Sequence, residues 1–225
     1  MARRGPPVGR LPAVKVRSAR RRKPSSTRWL SRQLNDPYVA EARRLGYRSR
    51  AAFKLVELDQ RFRLLRPGHR VVDLGCAPGG WTQVAVARVG QHGIVVGIDI
   101  TVTAPLAGAT LLSGDIRDPD ALAAIRAALG GPADIVLSDM APAATGHAAT
   151  DHLRIVALAE DAFAVASQIL KPGAFVAKVF QGGAEGPLLA ALKCDFVELR
   201  HAKPPASRSE SAETYVVATG LRGAR

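Results

Sequence analysis

Apolar residues along this chain fall into two rhythms. From Arg70 onward, short runs rich in Val, Ile and Leu take turns with longer stretches of helical spacing. The short runs, at residues 71–74, 94–98, 110–112, 134–138, 174–179, 196–199 and 214–218, predict strands. The stretches at 81–89, 120–129, 151–170 and 185–192 predict helices. This alternation predicts an α/β fold: a mostly parallel, seven-stranded, doubly wound sheet with helices on both faces. Residues 200–212 join the last two strands without room for a crossover helix, so these two should pair antiparallel.

Upstream of Arg70 the pattern is helical. Ser25-Ser26-Thr27 is placed to cap a short helix through Arg28, Trp29 and Leu30. Asp36-Pro37 starts another, which runs towards Leu45 and stops at Gly46. Ser49 precedes a third, with Phe53, Val56, Leu58 and Phe62 as apolar positions and Pro67-Gly68 beyond its end. Lys54 lies beside that apolar set. The chain thus divides into an arm at 1–24 and one domain at 25–225, a helical extension at 25–69 preceding the α/β core at 70–220.

Charge changes the picture at the N-terminus. With 225 residues and 47% hydrophobic content the chain can bury one sizeable core. Its net charge of +13 implies a polyanionic partner, nucleic acid before membrane. The charge is concentrated: residues 1–32 hold eleven Lys or Arg and no Asp or Glu. Like charge and repeated Pro predict a disordered basic arm at 1–24. Its Arg-rich composition also suits an organelle presequence, but Pro6, Pro7, Pro12 and Pro24 interrupt any amphipathic helix there. The expected location is cytoplasmic, with mitochondrial as the alternative. Cys76 and Cys194 make neither a disulfide framework nor a zinc pattern, and no metal cluster is expected. No apolar run reaches transmembrane length.

The chemistry concentrates in Val71-Val72-Asp73-Leu74-Gly75-Cys76-Ala77-Pro78-Gly79-Gly80-Trp81. A buried strand enters a glycine-rich turn, and Trp81 opens a helix, which is the layout of a nucleotide-type cofactor site. The spacing is not that of dinucleotide enzymes, and the phosphate-binding lysine is absent. An acid two residues before the first glycine resembles the S-adenosylmethionine loop of Rossmann-like methyltransferases.

In open α/β sheets ligands sit beyond the carboxyl ends of the strands. The second strand ends in Asp99, about twenty residues after Gly79, the offset of a carboxylate that accepts from ribose hydroxyls. Asp115 follows the third and is placed to meet an adenine amino group. The fourth ends in Ser138-Asp139-Met140-Ala141-Pro142. Lys178 lies inside the apolar fifth strand, where unpaired lysines are rare. Glu213 opens the last strand. Each also has a bland reading: Asp99, Asp115 and Asp139 as turn residues, Lys178 as a lysine snorkelling from a sheet edge, Glu213 as a solvated strand end. Their common placement on one rim favours function.

Five segments together resemble the FtsJ-type ribose 2′-O-methyltransferases. They are Ser49-Arg50-Ala51-Ala52-Phe53-Lys54-Leu55, the glycine stretch at 72–81, Ser138-Asp139-Met140-Ala141-Pro142, Lys178-Val179-Phe180-Gln181-Gly182, and Glu213-Thr214-Tyr215-Val216-Val217-Ala218. The resemblance is nearest to the branch that methylates uridine in large-subunit ribosomal RNA, and spans roughly residues 25 to 220. It implies a catalytic tetrad of Lys54, Asp139, Lys178 and Glu213, with Lys178 as proton acceptor. It implies S-adenosylmethionine contacts at Gly79, Trp81, Asp99, Asp115 and Asp139. It also implies ribosomal RNA and the large ribosomal subunit as partners of a monomeric enzyme. Arg28, Arg32, Arg43, Arg44, Arg48 and Arg50 would extend the basic arm's RNA surface. Cys76 stands where the family commonly has Ala, and the arm is long. Alternatives are a transfer-RNA or other RNA substrate, an RNA-binding assembly factor without catalysis, and, disfavoured by the glycine spacing, a dinucleotide oxidoreductase.

Overall fold

A computed structural model describes residues 27, 30–31, 33–142, 145–180, 182 and 185–222. The arm at 1–24, the capping serines, Arg28 and Arg32 lie outside the described residues. The helices α1 (Pro37–Leu45) and α2 (Ala52–Phe62) precede the sheet. The core follows as β1 (Arg70–Leu74), α3 (Gly80–Val89), β2 (Ile94–Asp99), β3 (Thr110–Ser113), α4 (Pro119–Leu129) and β4 (Ala133–Ser138). It ends with α5 (Ala148–Ile169), β5 (Leu170–Phe180), α6 (Gly186–Asp195), β6 (Phe196–Ala202) and β7 (Glu213–Leu221). The strands form one seven-stranded sheet in the order β3-β2-β1-β4-β5-β7-β6. Pairing is parallel from β3 to β5, and β7 runs antiparallel to both β5 and β6. The antiparallel C-terminal strand expected from the short last connection is therefore present.

Strand alternation sorts side chains onto two faces. Val72, Leu74, Val96, Ile98, Val136, Phe175, Ala177 and Val216 pack with α4, α5 and α6. Val71, Val95, Ile135, Leu137, Val176, Tyr215 and Val217 pack on the other side, with α2 and α3. The same alternation places Asp73 in line with Val71, Asp139 with Leu137, Lys178 with Val176, and Glu213 with Tyr215. All four polar side chains therefore fall on the α2–α3 side of the sheet, at the strand ends.

Local chemistry fixes the N-terminal helices. Asp36 caps α1 by accepting from the Tyr38 amide at 3.0 Å, Pro37 supplies a fitting φ, and Gly46 closes the helix in the left-handed region. Ser49 does not cap α2. The α2 N-cap is Ala51, and Ser49 lies against α3, where a Cβ on Gly80 would come within 2.3 Å of its Oγ. Two boundaries also differ from the sequence pattern. α5 begins at Ala148, and Leu170 opens β5 instead of closing α5. Leu170 is apolar in either element, and only its pairing with Ala133 on β4 decides between them.

Candidate active site

Four of the residues singled out in the sequence meet around one that was not. Lys54 Nζ lies 2.9 Å from Glu213 Oε2 and 3.0 Å from the Tyr215 hydroxyl. Tyr215 donates to Asp139 Oδ1 at 2.6 Å. Lys178 Nζ donates to the same Oδ1 at 3.0 Å and to the Asp139 carbonyl oxygen at 2.7 Å. Lys54 Nζ is also 3.6 Å from Asp139 Oδ1. Lys54 comes from α2, Asp139 from the end of β4, Lys178 from β5, and Tyr215 and Glu213 from β7. Ser207, in the β6–β7 loop, donates to Glu213 Oε1 at 2.7 Å.

Burial makes this cluster energetically expensive to leave incomplete. Lys54 and Lys178 are 8% and 7% exposed. β5 lies between β4 and β7, so Lys178 cannot be a lysine snorkelling from a sheet edge. Burial alone would push the Asp139 carboxyl up, but the Lys178 and Lys54 cations and the hydrogen bonds from Tyr215 and Lys178 outweigh it. The net effect is a lowered pKa. The Tyr215 phenol is held well above its ordinary value, first by burial and then by the charges of Asp139 and Glu213. It therefore stays a hydroxyl that accepts from Lys54 and donates to Asp139.

A cavity of about 750 Å³ lies beside this cluster, and Gly75, Ile98, Asp99, Asp115, Asp139 and Met140 are on its wall. Its shape depends on the glycine turn. Gly75 has φ 75°, and a Cβ there would approach Met140 Cγ to 2.3 Å. The amides of Gly75 and Cys76 both donate to the Ile98 carbonyl oxygen, at 2.8 and 3.1 Å, which folds the turn across the end of β2. Asp99 accepts from the Ala77 amide at 3.0 Å and from Thr101 at 2.7 Å, so it orders the turn while facing the cavity. Asp115 also faces the cavity, in a two-pronged pair with Arg117 that holds its carboxyl down at about 2.

Two of the expected cofactor residues are placed differently. Gly79 and Trp81 are not on the cavity wall. Trp81 is buried, donates from Nε1 to the Ala51 carbonyl oxygen at 2.8 Å, and packs on Tyr215 with ring centroids 5.6 Å apart. It joins α3 to α2 and supports the hub. Gly79, at φ 106°, leaves room for Arg48, whose guanidinium would lie 2.8 Å from a Cβ there. Arg48 donates to the carbonyl oxygens of Pro78, Ala104 and Pro105, at 3.2, 2.7 and 2.6 Å, and clasps the turn to the β2–β3 loop. Arg48 is half-buried, and its guanidinium is thereby committed to backbone carbonyl oxygens of the protein itself.

The walls suit S-adenosylmethionine. Carboxylates at Asp99 and Asp115 can accept from ribose hydroxyls and an amino group, and Ile98, Ile116 and Met140 offer apolar contact. The FtsJ-like methyltransferase family model matches residues 47–221. The chain belongs to the FtsJ-like methyltransferase family. As an FtsJ-like methyltransferase it uses S-adenosylmethionine. It is 64% identical over 216 residues to "Ribosomal RNA large subunit methyltransferase E" of Paramagnetospirillum magneticum, covering 93% of this chain and 88% of that protein. A protein of the same name from Gluconobacter oxydans is 57% identical over 219 residues, covering 97% and 81%. The fold resembles a crystal structure described as a ribosomal RNA methyltransferase of Plasmodium falciparum. The TM-score is 0.71 at 28% identity, covering 79% of this chain and 100% of that one.

Proposed function

We propose that this methyltransferase acts on the ribose 2′-hydroxyl of a uridine in large-subunit ribosomal RNA, on an assembled or assembling subunit. The observation that carries the reading is the position of the cluster. Asp139 is on the wall of the larger cavity. Lys54 and Glu213 are on the wall of a second one, of about 480 Å³, and Tyr215 hydrogen-bonds both Lys54 and Asp139. A cofactor in the first cavity and a nucleotide in the second would meet across the Asp139–Tyr215–Lys54 bridge, to which Lys178 is tied through Asp139.

Bound S-adenosylmethionine supplies an electrophilic methyl group on a sulfonium. Asp99 and Asp115 would hold its ribose and adenine, and Asp139 would face it from the cluster side of the cavity. A ribose hydroxyl is a weak nucleophile, so the protein must align it and take up its proton. An ammonium has three donors, and Asp139 takes two of those on Lys178. To take up the 2′-hydroxyl proton Lys178 must first lose the third of these protons; the lone pair of the neutral amine then accepts the hydroxyl proton as the O–CH3 bond forms and the sulfonium C–S bond breaks. Lys54 and Glu213 position the ribose, and Tyr215 keeps the lysines apart at hydrogen-bonding distance from their acids. The enzyme works as a cytoplasmic monomer. The arm at 1–24 adds RNA affinity through its positive charge.

Incubation with labelled S-adenosylmethionine and large ribosomal subunits, followed by mapping of the modified nucleotide, tests the reading. Label on a single uridine 2′-oxygen is the expected result. Label on transfer RNA alone would overturn the substrate, and no label on any RNA would overturn the activity.

A further inference from the structure

The second cavity contains more cationic groups than positioning a ribose requires. Its wall carries Arg50, Lys54 and Arg208 against Glu210 and Glu213, with Gln33 and Ser211 as neutral donors. Lys54 and Glu213 already neutralise each other at 2.8 Å. The two guanidiniums share one carboxylate: Arg50 Nε is 2.9 Å from Asp36 Oδ2, and Arg208 is 3.6 Å from the same oxygen. Arg50 is further committed to the Ala206 carbonyl oxygen at 2.6 Å. Arg208 has the longer and weaker hold, and its side chain is 27% exposed against 17% for Arg50.

The loop that carries Arg208 is built to hold its place. The Ala206 amide donates to Glu57 Oε2 at 2.7 Å, and Glu57 accepts from the Tyr38 hydroxyl at 3.0 Å. Lys203 Nζ donates to the carbonyl oxygen of Ser209 at 3.0 Å and to that of Ser211. These contacts anchor the loop to α1, to α2 and to itself, while the Arg208 guanidinium remains at the cavity edge. Gln33, on the same wall, directly follows Arg32 and the basic run in sequence.

We propose that Arg208, with Arg50 and Gln33 beside it, forms a phosphate subsite that grips the RNA backbone next to the target ribose. The proposal rests on the RNA methyltransferase reading. The ligand is one backbone phosphate. Arg208 turns from Asp36 to the phosphate in a two-pronged contact, and Asp36 keeps Arg50. The ribose beside that phosphate is then held over Lys54, Glu213 and Lys178.

The test measures equilibrium binding of a fluorescent single-stranded RNA to the full chain across a salt series, together with methyl transfer to ribosomal subunits. For Arg208→Ala we expect weaker RNA binding by about tenfold and a salt slope smaller by about 0.7–1, one phosphate contact. The KM for RNA should rise with kcat nearly unchanged, and S-adenosylmethionine affinity should not move. Arg208→Lys should restore the slope but only part of the affinity. Asp36→Asn keeps the cap on α1 and loosens both guanidiniums, so it should retain the wild-type slope. An unchanged slope in Arg208→Ala would overturn the subsite. So would an equal loss of binding in Asp36→Asn and Arg208→Ala, because Arg208 would then only brace the loop. The slope is read without turnover, so absent methylation with a slope change would count against the reaction alone.

Discussion

Asp139 and Asp115 are two carboxylates on one cavity wall, and both are held below the ordinary carboxylate range for different reasons. Asp115 owes its shift to Arg117, two residues along the chain and exposed to solvent. Asp139 is mostly buried, with 15% of its side chain exposed, and its stabilising partners Lys54, Tyr215 and Lys178 come from α2, β7 and β5. The local pair needs only a turn. The distant set needs the whole sheet in register, because each charged member without the others is an uncompensated charge with little access to water. The contrast teaches that a lowered carboxylate pKa does not by itself distinguish a solvated pair from a built active site. The number and origin of the partners do.

The largest expected effect tests whether the built set performs the chemistry. Lys178→Ala should lower single-turnover methyl transfer by about 10²–10⁴ while S-adenosylmethionine binding, read by calorimetry, survives. Lys178→Arg should rescue little, since a guanidinium cannot accept the proton. Near-wild-type turnover in the alanine variant would reduce the cluster to a structural one. Next is its stability. Lys54→Ala leaves the mostly buried Glu213 and Asp139 with one cation fewer, so unfolding in urea should show a loss that approaches the roughly 3–5 kcal/mol of a broken buried pair. A change near zero would make the cluster no different from the exposed pair.

A third test uses Asp73, which is buried on β1 and accepts from Thr82 Oγ1 at 2.7 Å. Burial, with Asp139 and Asp99 adding to it, raises its carboxyl to about 7. The folded value lies above the unfolded one. Its contribution is therefore fully present below the unfolded pKa, roughly 3.9, and is lost as pH rises towards 7. The urea midpoint of the wild type should fall between pH 5 and pH 8 by more than that of Asp73→Asn, in which the group cannot ionise. Equal falls would remove Asp73 from the account.

The smallest effect belongs to the local pair. Asp115 is held at about 2, so its contribution is present above the unfolded pKa and lost only as pH falls towards 2. Solvent exposure makes that contribution slight. Arg117→Ala should leave the urea midpoint unchanged while the Asp115 carboxyl, followed by NMR titration, rises towards about 3.9. A marked loss of stability would show that the pair does more than its exposure suggests.

Much of this molecule was decided by patterns a few residues long. Strand runs, helix stops, the glycine turn at 75–80 and the short β6–β7 connection are local, so they could be read before any contact was known. Lys178 stood out because a charge inside an apolar strand is an anomaly by itself. Tyr215 did not, since a tyrosine in such a strand looks like core, and only the pairing of β5 with β7 beneath α2 puts its hydroxyl between Lys54 and Asp139. The side-chain partners of Trp81 and Arg48 were hidden for the same reason. An amphipathic side chain next to a ligand loop can face the ligand or the protein. Its partners, Tyr215 and Ala51 for the one and Ala104 and Pro105 for the other, are chosen by packing across distant segments. The sharing of Asp36 by Arg50 and Arg208 was likewise invisible, because it joins positions more than 150 residues apart. Sequence spacing specifies which elements form and which face each residue takes. Which charges then meet depends on strand order and helix docking, and those are settled by burial of the whole core at once.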